Sequence, residues 1–221
     1  MQVRTRHTPT FGVARLLLAP REMVCAGPST LLASSYGVGV KPASETPFKQ
    51  MVRPWKEAMA FAAPADGGWV DVAPRSPGDL YVLDLDGSKG WCVARDGWLA
   101  MSGTVQLEAS WSGFQDMFGG QVGFLLHATG TGSLVLSCCG QLDIMNLTSG
   151  DLVSVDPGHV VAYPDKMRCR LRAMSQSGPQ SVRTGEGLLL DFVGPGRLVT
   201  QTRSPRAMAA WLASRTNSGR A

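Results

Sequence analysis

An all-β fold is predicted from three features of the 221-residue sequence. Turn formers occupy 40 positions (26 Gly and 14 Pro), charged residues reach only 17%, below the usual quarter, and short apolar runs recur between the turns. The 44% hydrophobic content and a net charge of +4 exclude a disordered chain and a coiled coil. The longest apolar stretch, residues 11–20, is interrupted by Arg15 and falls short of the ~18 residues of a membrane-spanning helix.

The elements follow in chain order. The N-terminus carries Arg4, Arg6, Arg15 and Arg21 with no acid before Glu22, and its short apolar core Leu16-Leu17-Leu18 lacks a small-residue cleavage site. It is read as a first strand rather than a targeting segment. Residues 36–55, with Gly37, Gly39, Pro42, Pro47 and Pro54, read as a long crossing loop. Residues 80–85 (Leu-Tyr-Val-Leu-Asp-Leu) and 134–136 (Leu-Val-Leu) are apolar strand cores. Residues 175–184, rich in Ser, Gln and Gly, read as a hairpin loop. A short C-terminal helix is predicted over 204–215, with Ser204 as N-cap and Pro205 at the first helical position.

These elements repeat. Residues 123–135 superimpose on 187–199 without a gap at an offset of 64, aligning three glycines and both apolar runs. A weaker copy begins at Ala58, where two of the glycines are alanines. A second block, residues 149–162, aligns with 20–33 at an offset of 129, and its middle copy opens at Pro77-Gly78-Asp79-Leu80 and closes at residues 96–100. One such unit of about 60 residues buries too little surface to stand alone. The prediction is therefore a single domain of three antiparallel β units, about 11–75, 76–140 and 141–203, packed about a pseudo-threefold axis so that open sheet edges cover one another.

Charge is segregated along the chain. Residues 1–56 carry +6, residues 57–165 carry −10 and residues 166–221 carry +8. If the two ends meet, they make a basic face suited to anionic lipid, nucleic acid or the acidic region of a second copy; the alternative is an ordinary solvated surface. Five cysteines without CxxC spacing point to a reduced, cytoplasmic protein.

Few residues suggest chemistry. His159 follows Gly158 beside Asp156, a pH-responsive or metal-binding arrangement. With only His7, His127 and His159 present, a structural turn histidine is the simpler reading, and neither metal nor cofactor is expected. Glu186, Arg197, Gln201 and Arg203 form the densest polar group; Arg197 with its amide neighbours suits a carboxylate or phosphate, while Glu186 and Arg197 equally suit a cross-hairpin pair. Cys138-Cys139 has no adjacent base to activate a thiol, and His127 lies in an apolar run as a packed or surface residue. The tryptophans Trp69, Trp91, Trp98 and Trp111 lack interleaved cations beyond Lys89 and Arg95, so core packing is expected in place of nucleic-acid stacking. The Gly-x-Gly turns lack the Lys-Ser/Thr of a phosphate loop.

The segments Asp156-Pro-Gly-His-Val-Val-Ala162, Thr184-Gly-Glu-Gly187, Gly194-Pro-Gly-Arg197 and Gln201-Thr-Arg203, with Pro77-Gly78-Asp79 and Gly119-Gly120, resemble the altered-inheritance-of-mitochondria family from about Phe11 to Leu212. The N-terminal half departs from it: Pro28-Ser29-Thr30 stands where the family tends to have Gly-Ala-Met, and Lys56-Glu57 where it has Gly-Glu. The resemblance implies a barrel-like or prism-like body similar to the tryptophan RNA-binding attenuation protein, often oligomeric. For mitochondrial relatives it implies a role in organising the inner membrane. It transfers no catalytic residue. The expected function is a non-enzymatic, self-associating interaction scaffold that touches a protein or membrane partner through its basic ends. The rivals are a small-molecule-binding protein or enzyme with a pocket between repeats and, by fold analogy alone, RNA binding.

Overall fold

The computed structural model describes residues 1–50, 57–118, 123–174 and 187–217. The first stretch of chain forms β1 (Gln2–Arg6), β2 (Val13–Leu18), β3 (Met23–Ala26), β4 (Leu31–Ser34), β5 (Gly39–Pro42), β6 (Met59–Ala62) and β7 (Gly68–Val72). The middle forms β8 (Leu80–Asp86), β9 (Trp91–Ala94), β10 (Trp98–Ser102), β11 (Val105–Glu108), the one-turn helix α1 (Gln115–Phe118) and β12 (Leu125–Ser137). The last forms β13 (Leu142–Leu147), β14 (Leu152–Val155), β15 (Val160–Pro164), β16 (Arg168–Ala173), β17 (Leu188–Val193), β18 (Gly196–Gln201) and helix α2 (Pro205–Asn217). The protein is thus mostly β, with the C-terminal helix where Ser204 and Pro205 predict it; the amide of Ala207 donates to Ser204 Oγ at 3.4 Å.

Pairing follows one scheme in each stretch. In the first, β2 and β4 flank β7 while β3 and β5 flank β6. In the last, β13 and β15 flank β18 while β14 and β16 flank β17. In the middle, both roles fall to the single strand β12: residues 131–137 pair with β8, residues 134–136 with β10, residues 125–128 with β9, and residues 127–130 with β11. The change of partners comes at Gly130 (φ 97°) and Gly132 (φ 111°), values that a residue with a Cβ rarely adopts.

Neighbouring stretches are joined by β3 against β10 and by β9 against β15. The result is one four-stranded, one eleven-stranded and one three-stranded antiparallel sheet, and none of them closes into a barrel among the described residues. That corrects the barrel-like expectation. β1 and β4 are the outer strands of the four-stranded sheet, and β14 and β16 those of the three-stranded one.

Two local expectations also change. The long loop assigned to residues 36–55 contains β5, which adds to β6 as an edge strand even though it ends on Pro42, a residue tolerated at an edge. An additional strand, β1, precedes the predicted first strand and pairs with it in full register. The loop assigned to 175–184 lies outside the described residues.

Alternation buries one face of strands such as β2, where Ala14, Leu16 and Leu18 enter the core together with Val70 and Val72 of β7, whereas β10 is buried on both faces. A second cluster centres on Met101, Leu126, Leu134 and Leu136, and a third on Tyr163, Leu190, Phe192 and Leu198. Against the first cluster's outer side, the 2%-exposed Asp71 carboxylate accepts from Arg6 Nη2 and from Arg15 Nε and Nη2, all at 2.8 Å.

Candidate functional site

The turns that link β3 to β4, β9 to β10 and β14 to β15 converge on one open cavity of about 970 Å³. Residues 27, 28 and 30 line it from the first turn, 94–99 from the second and 156–161 from the third. The chain leaving β7, β12 and β18 adds residues 74–76, 137–139 and 201, and α2 covers one side with residues 204–207 and 210. The wall is largely apolar backbone-rich turn, including Trp98, Leu99, Phe124 and Val160.

Three of the six residues singled out from sequence meet here. Asp156 caps its own turn, its Oδ1 accepting from the Gly158 amide at 2.7 Å. Gln201 is buried and spans the junction: its Nε2 donates to the Gly158 carbonyl and its Oε1 accepts from the Cys139 amide, both at 2.8 Å. His159 Nδ1 lies 2.8 Å from the Gln201 carbonyl, which accepts, so that nitrogen carries the proton. These bonds tie the β14–β15 turn to the end of β18 and to the end of β12. Their role is to hold the wall.

Arg197 and Arg203 do not line this cavity. Arg197 Nε donates to Asn146 Oδ1 at 3.3 Å across the β13–β18 pair and lines a different cleft. The Arg203 guanidinium donates back to the Thr202 carbonyl at 2.9 Å. Glu186 lies outside the described residues, so the expected Glu186–Arg197 pair does too. The grouping expected from sequence proximity does not hold for Arg197: it stands at the exposed start of β18, where it reaches Asn146, while Gln201 is buried at the strand's far end, about 13 Å away.

The residue that sequence reading missed is Arg95. It sits in the β9–β10 turn with its amide donating to the Phe124 carbonyl at 3.0 Å. Its guanidinium Nε and Nη2 are buried in the cavity wall and have no hydrogen-bond partner among the described residues. Burial lowers its pKa, partly offset by attraction to neighbouring Asp96. Nothing local marks this arginine, since a lack of partners is a property of the packed turn.

The cysteines carry protonated thiols. Burial pushes Cys25 and Cys92 up to about 12 and Cys138 to about 11, and raises Cys139 with Arg203 opposing. Cys169 rises to about 12 for the same reason.

A second cleft of about 540 Å³ is lined by Lys89, Trp91, Asp165, Lys166, Met167 and Arg197 among others. Behind it His127 is 6% exposed, stacks on Trp111 with ring centroids 4.0 Å apart, and places Nε2 3.1 Å from Asp165 Oδ2. The packed reading of His127 fits this position. Among the described residues no three His, Cys, Asp or Glu side chains gather to hold a metal ion, and no helix is long and apolar enough to cross a membrane.

The chain is similar to an uncharacterised protein of Streptococcus pyogenes serotype M6, at 29% identity over 153 residues that cover 68% of this chain and 60% of that protein. The match thus spans about three-fifths of the relative's length. Its fold is similar to that in a crystal structure of another Streptococcus pyogenes protein, with a TM-score of 0.73 at 21% identity, covering 97% of this chain and 99% of that one. A family model described as mitochondrial biogenesis AIM24 matches residues 3–203. With nearly the whole chain matched, the protein belongs to the mitochondrial biogenesis AIM24 family, whose matched streptococcal relative is itself uncharacterised.

Proposed function

We propose that this protein is a non-enzymatic binding protein whose three β units, about 11–75, 76–140 and 141–203, enclose a small-molecule site between them. The observation that carries this reading is the cavity of about 970 Å³, to which the corresponding turns of all three stretches contribute. Such a volume lies at the upper end of the ~300–1,000 Å³ range of small-molecule pockets. The common pairing scheme of the three stretches supports a triplicated unit, and a triplicated unit brings equivalent turns to one axis. The side chains best suited to chemistry are engaged otherwise: His159 and Gln201 brace the wall and the thiols are protonated. Native mass spectrometry of the purified protein tests the reading: a small molecule retained at one per chain supports it. An empty protein that no compound in a thermal-shift screen stabilises would refute it.

Self-association is the second reading, favoured by a specific patch. Leu31, Leu32, Tyr36 and Val40 are exposed on and between β4 and β5, the unpaired edges of two sheets. A second copy of the chain covering these edges would make the protein a homo-oligomeric scaffold. Sedimentation of Leu32→Glu and Tyr36→Glu against the parent protein tests it, with dissociation expected and an unchanged monomer refuting it.

A further inference from the structure

The cavity is not neutral in its demands, and Arg95 is the reason. A guanidinium with buried nitrogens and no acceptor is unfavourable by itself, because water has been removed and nothing replaces it. Among the described residues both Nε and Nη2 are in this condition, and a shift of the side chain into the cavity that Arg95 lines would turn them into the parallel donors that a carboxylate or phosphate accepts in bidentate fashion. The other charged groups in the wall do not satisfy it. Asp96 is the adjacent residue and exposed, yet makes no hydrogen bond to Arg95; Asp156 is engaged by the Gly158 amide. Arg75 donates to the Pro28 carbonyl at 2.9 Å and so carries its own acceptor.

Apolar side chains line the same cavity: Trp98, Leu99, Phe124 and Val160, with Ala210 from α2. Of the three converging turns only the second bears an arginine; the first reads Gly27-Pro28-Ser29-Thr30 and the third Asp156-Pro157-Gly158-His159. The cavity therefore sets Arg95 beside an apolar area within a wall that also carries Arg75, Arg206, Asp96 and Asp156.

We propose that the cavity binds an amphiphilic organic anion, its carboxylate or phosphate head on the Arg95 guanidinium and its apolar body against Trp98 and Phe124. This rests on the cavity being a small-molecule site and adds the chemical class of its ligand.

Titration calorimetry with sodium dodecanoate, dodecanol and inorganic phosphate, each below its aggregation or solubility limit, tests the proposal on the full chain. Dodecanoate is expected to bind one per chain, at least about tenfold more tightly than dodecanol. Arg95→Gln should weaken dodecanoate by about ten- to a hundredfold, the range of a charge-assisted hydrogen bond, and leave dodecanol unchanged. Ala210→Trp keeps Arg95 and fills the cavity from an exposed helix position, so it should abolish binding without shifting the melting temperature. Equal affinity for dodecanoate and dodecanol, unaffected by Arg95→Gln, would overturn the anion assignment while leaving the cavity as a binding site. Phosphate binding as tightly as dodecanoate would overturn the apolar half. If no probe binds and the purified protein retains no molecule, both the ligand class and the binding function fall together.

Discussion

Replacing Asp71 with asparagine is the perturbation whose outcome the structure constrains most closely. Asp71 lies on β7 opposite Arg15 of β2, and Arg6 reaches it from β1, so one carboxylate ties three adjacent strands. Arg15 also stacks on Trp69, with its guanidinium carbon 3.9 Å from the ring centroid. Asn keeps the shape but removes the charge that three 2.8 Å bonds converge on. Breaking a fully buried pair costs about 3–5 kcal/mol. Both arginine side chains are 37% exposed and regain water, which places the expected loss nearer about 3 kcal/mol. For a chain of this size that corresponds to about 6–12 °C in melting temperature.

The pH dependence gives a second readout. The bond to Arg15 first, and then Arg6, hold the Asp71 carboxyl well below the usual carboxylate range. A depressed folded pKa means the stabilisation is fully present above the unfolded value near 3.9 and is lost as pH falls through the folded one. Urea unfolding of the parent and Asp71→Asn proteins should therefore differ most from pH 5 to 7 and converge progressively below pH 4. A loss under about 0.5 kcal/mol at pH 7, or a difference that stayed constant from pH 6 to pH 2, would refute the assignment of this carboxylate as an ionised, three-strand tie.

Three further outcomes follow from the same structure. Arg95→Met should raise the unfolding free energy of ligand-free protein by about 1–3 kcal/mol in differential scanning calorimetry, since it removes a buried donor group without a partner; a fall would show that Arg95 is satisfied in solution. Iodoacetamide at pH 8 should label Cys25 and Cys92 at least about a thousandfold more slowly in native than in urea-unfolded protein, because thiols held near 12 expose almost no thiolate. Peptide mass spectrometry reads this directly, and comparable rates would disprove the burial. Gly78→Ala should destabilise by about 3 kcal/mol or prevent soluble expression, because a Cβ there would press into the Cys138 carbonyl where Gly78 bridges Phe11 and Gly140; an unchanged urea midpoint would show that the junction yields.

Much of this molecule is legible from local pattern. The apolar run at residues 80–85 specifies β8, and Ser204-Pro205 specifies where α2 begins, because strand and helix starts depend on neighbours in the chain. Family membership is legible for the same reason, through short segments such as Asp156-Pro-Gly-His. Other features are decided only by long-range pairing. β5 forms within a Gly- and Pro-rich segment because β6 offers it an edge, and β12 runs unbroken through Gly130 and Gly132 because four other strands hold its two halves. Arg197 and Gln201 look like one polar group in sequence, but they stand at opposite ends of β18, one at its exposed start and the other buried at the junction with the β14–β15 turn. Arg95 is the clearest case. In sequence it is an arginine in a turn; only packing against Phe124 and the converging turns removes its water without supplying an acceptor, and desolvation is a property of tertiary structure that no local sequence pattern encodes.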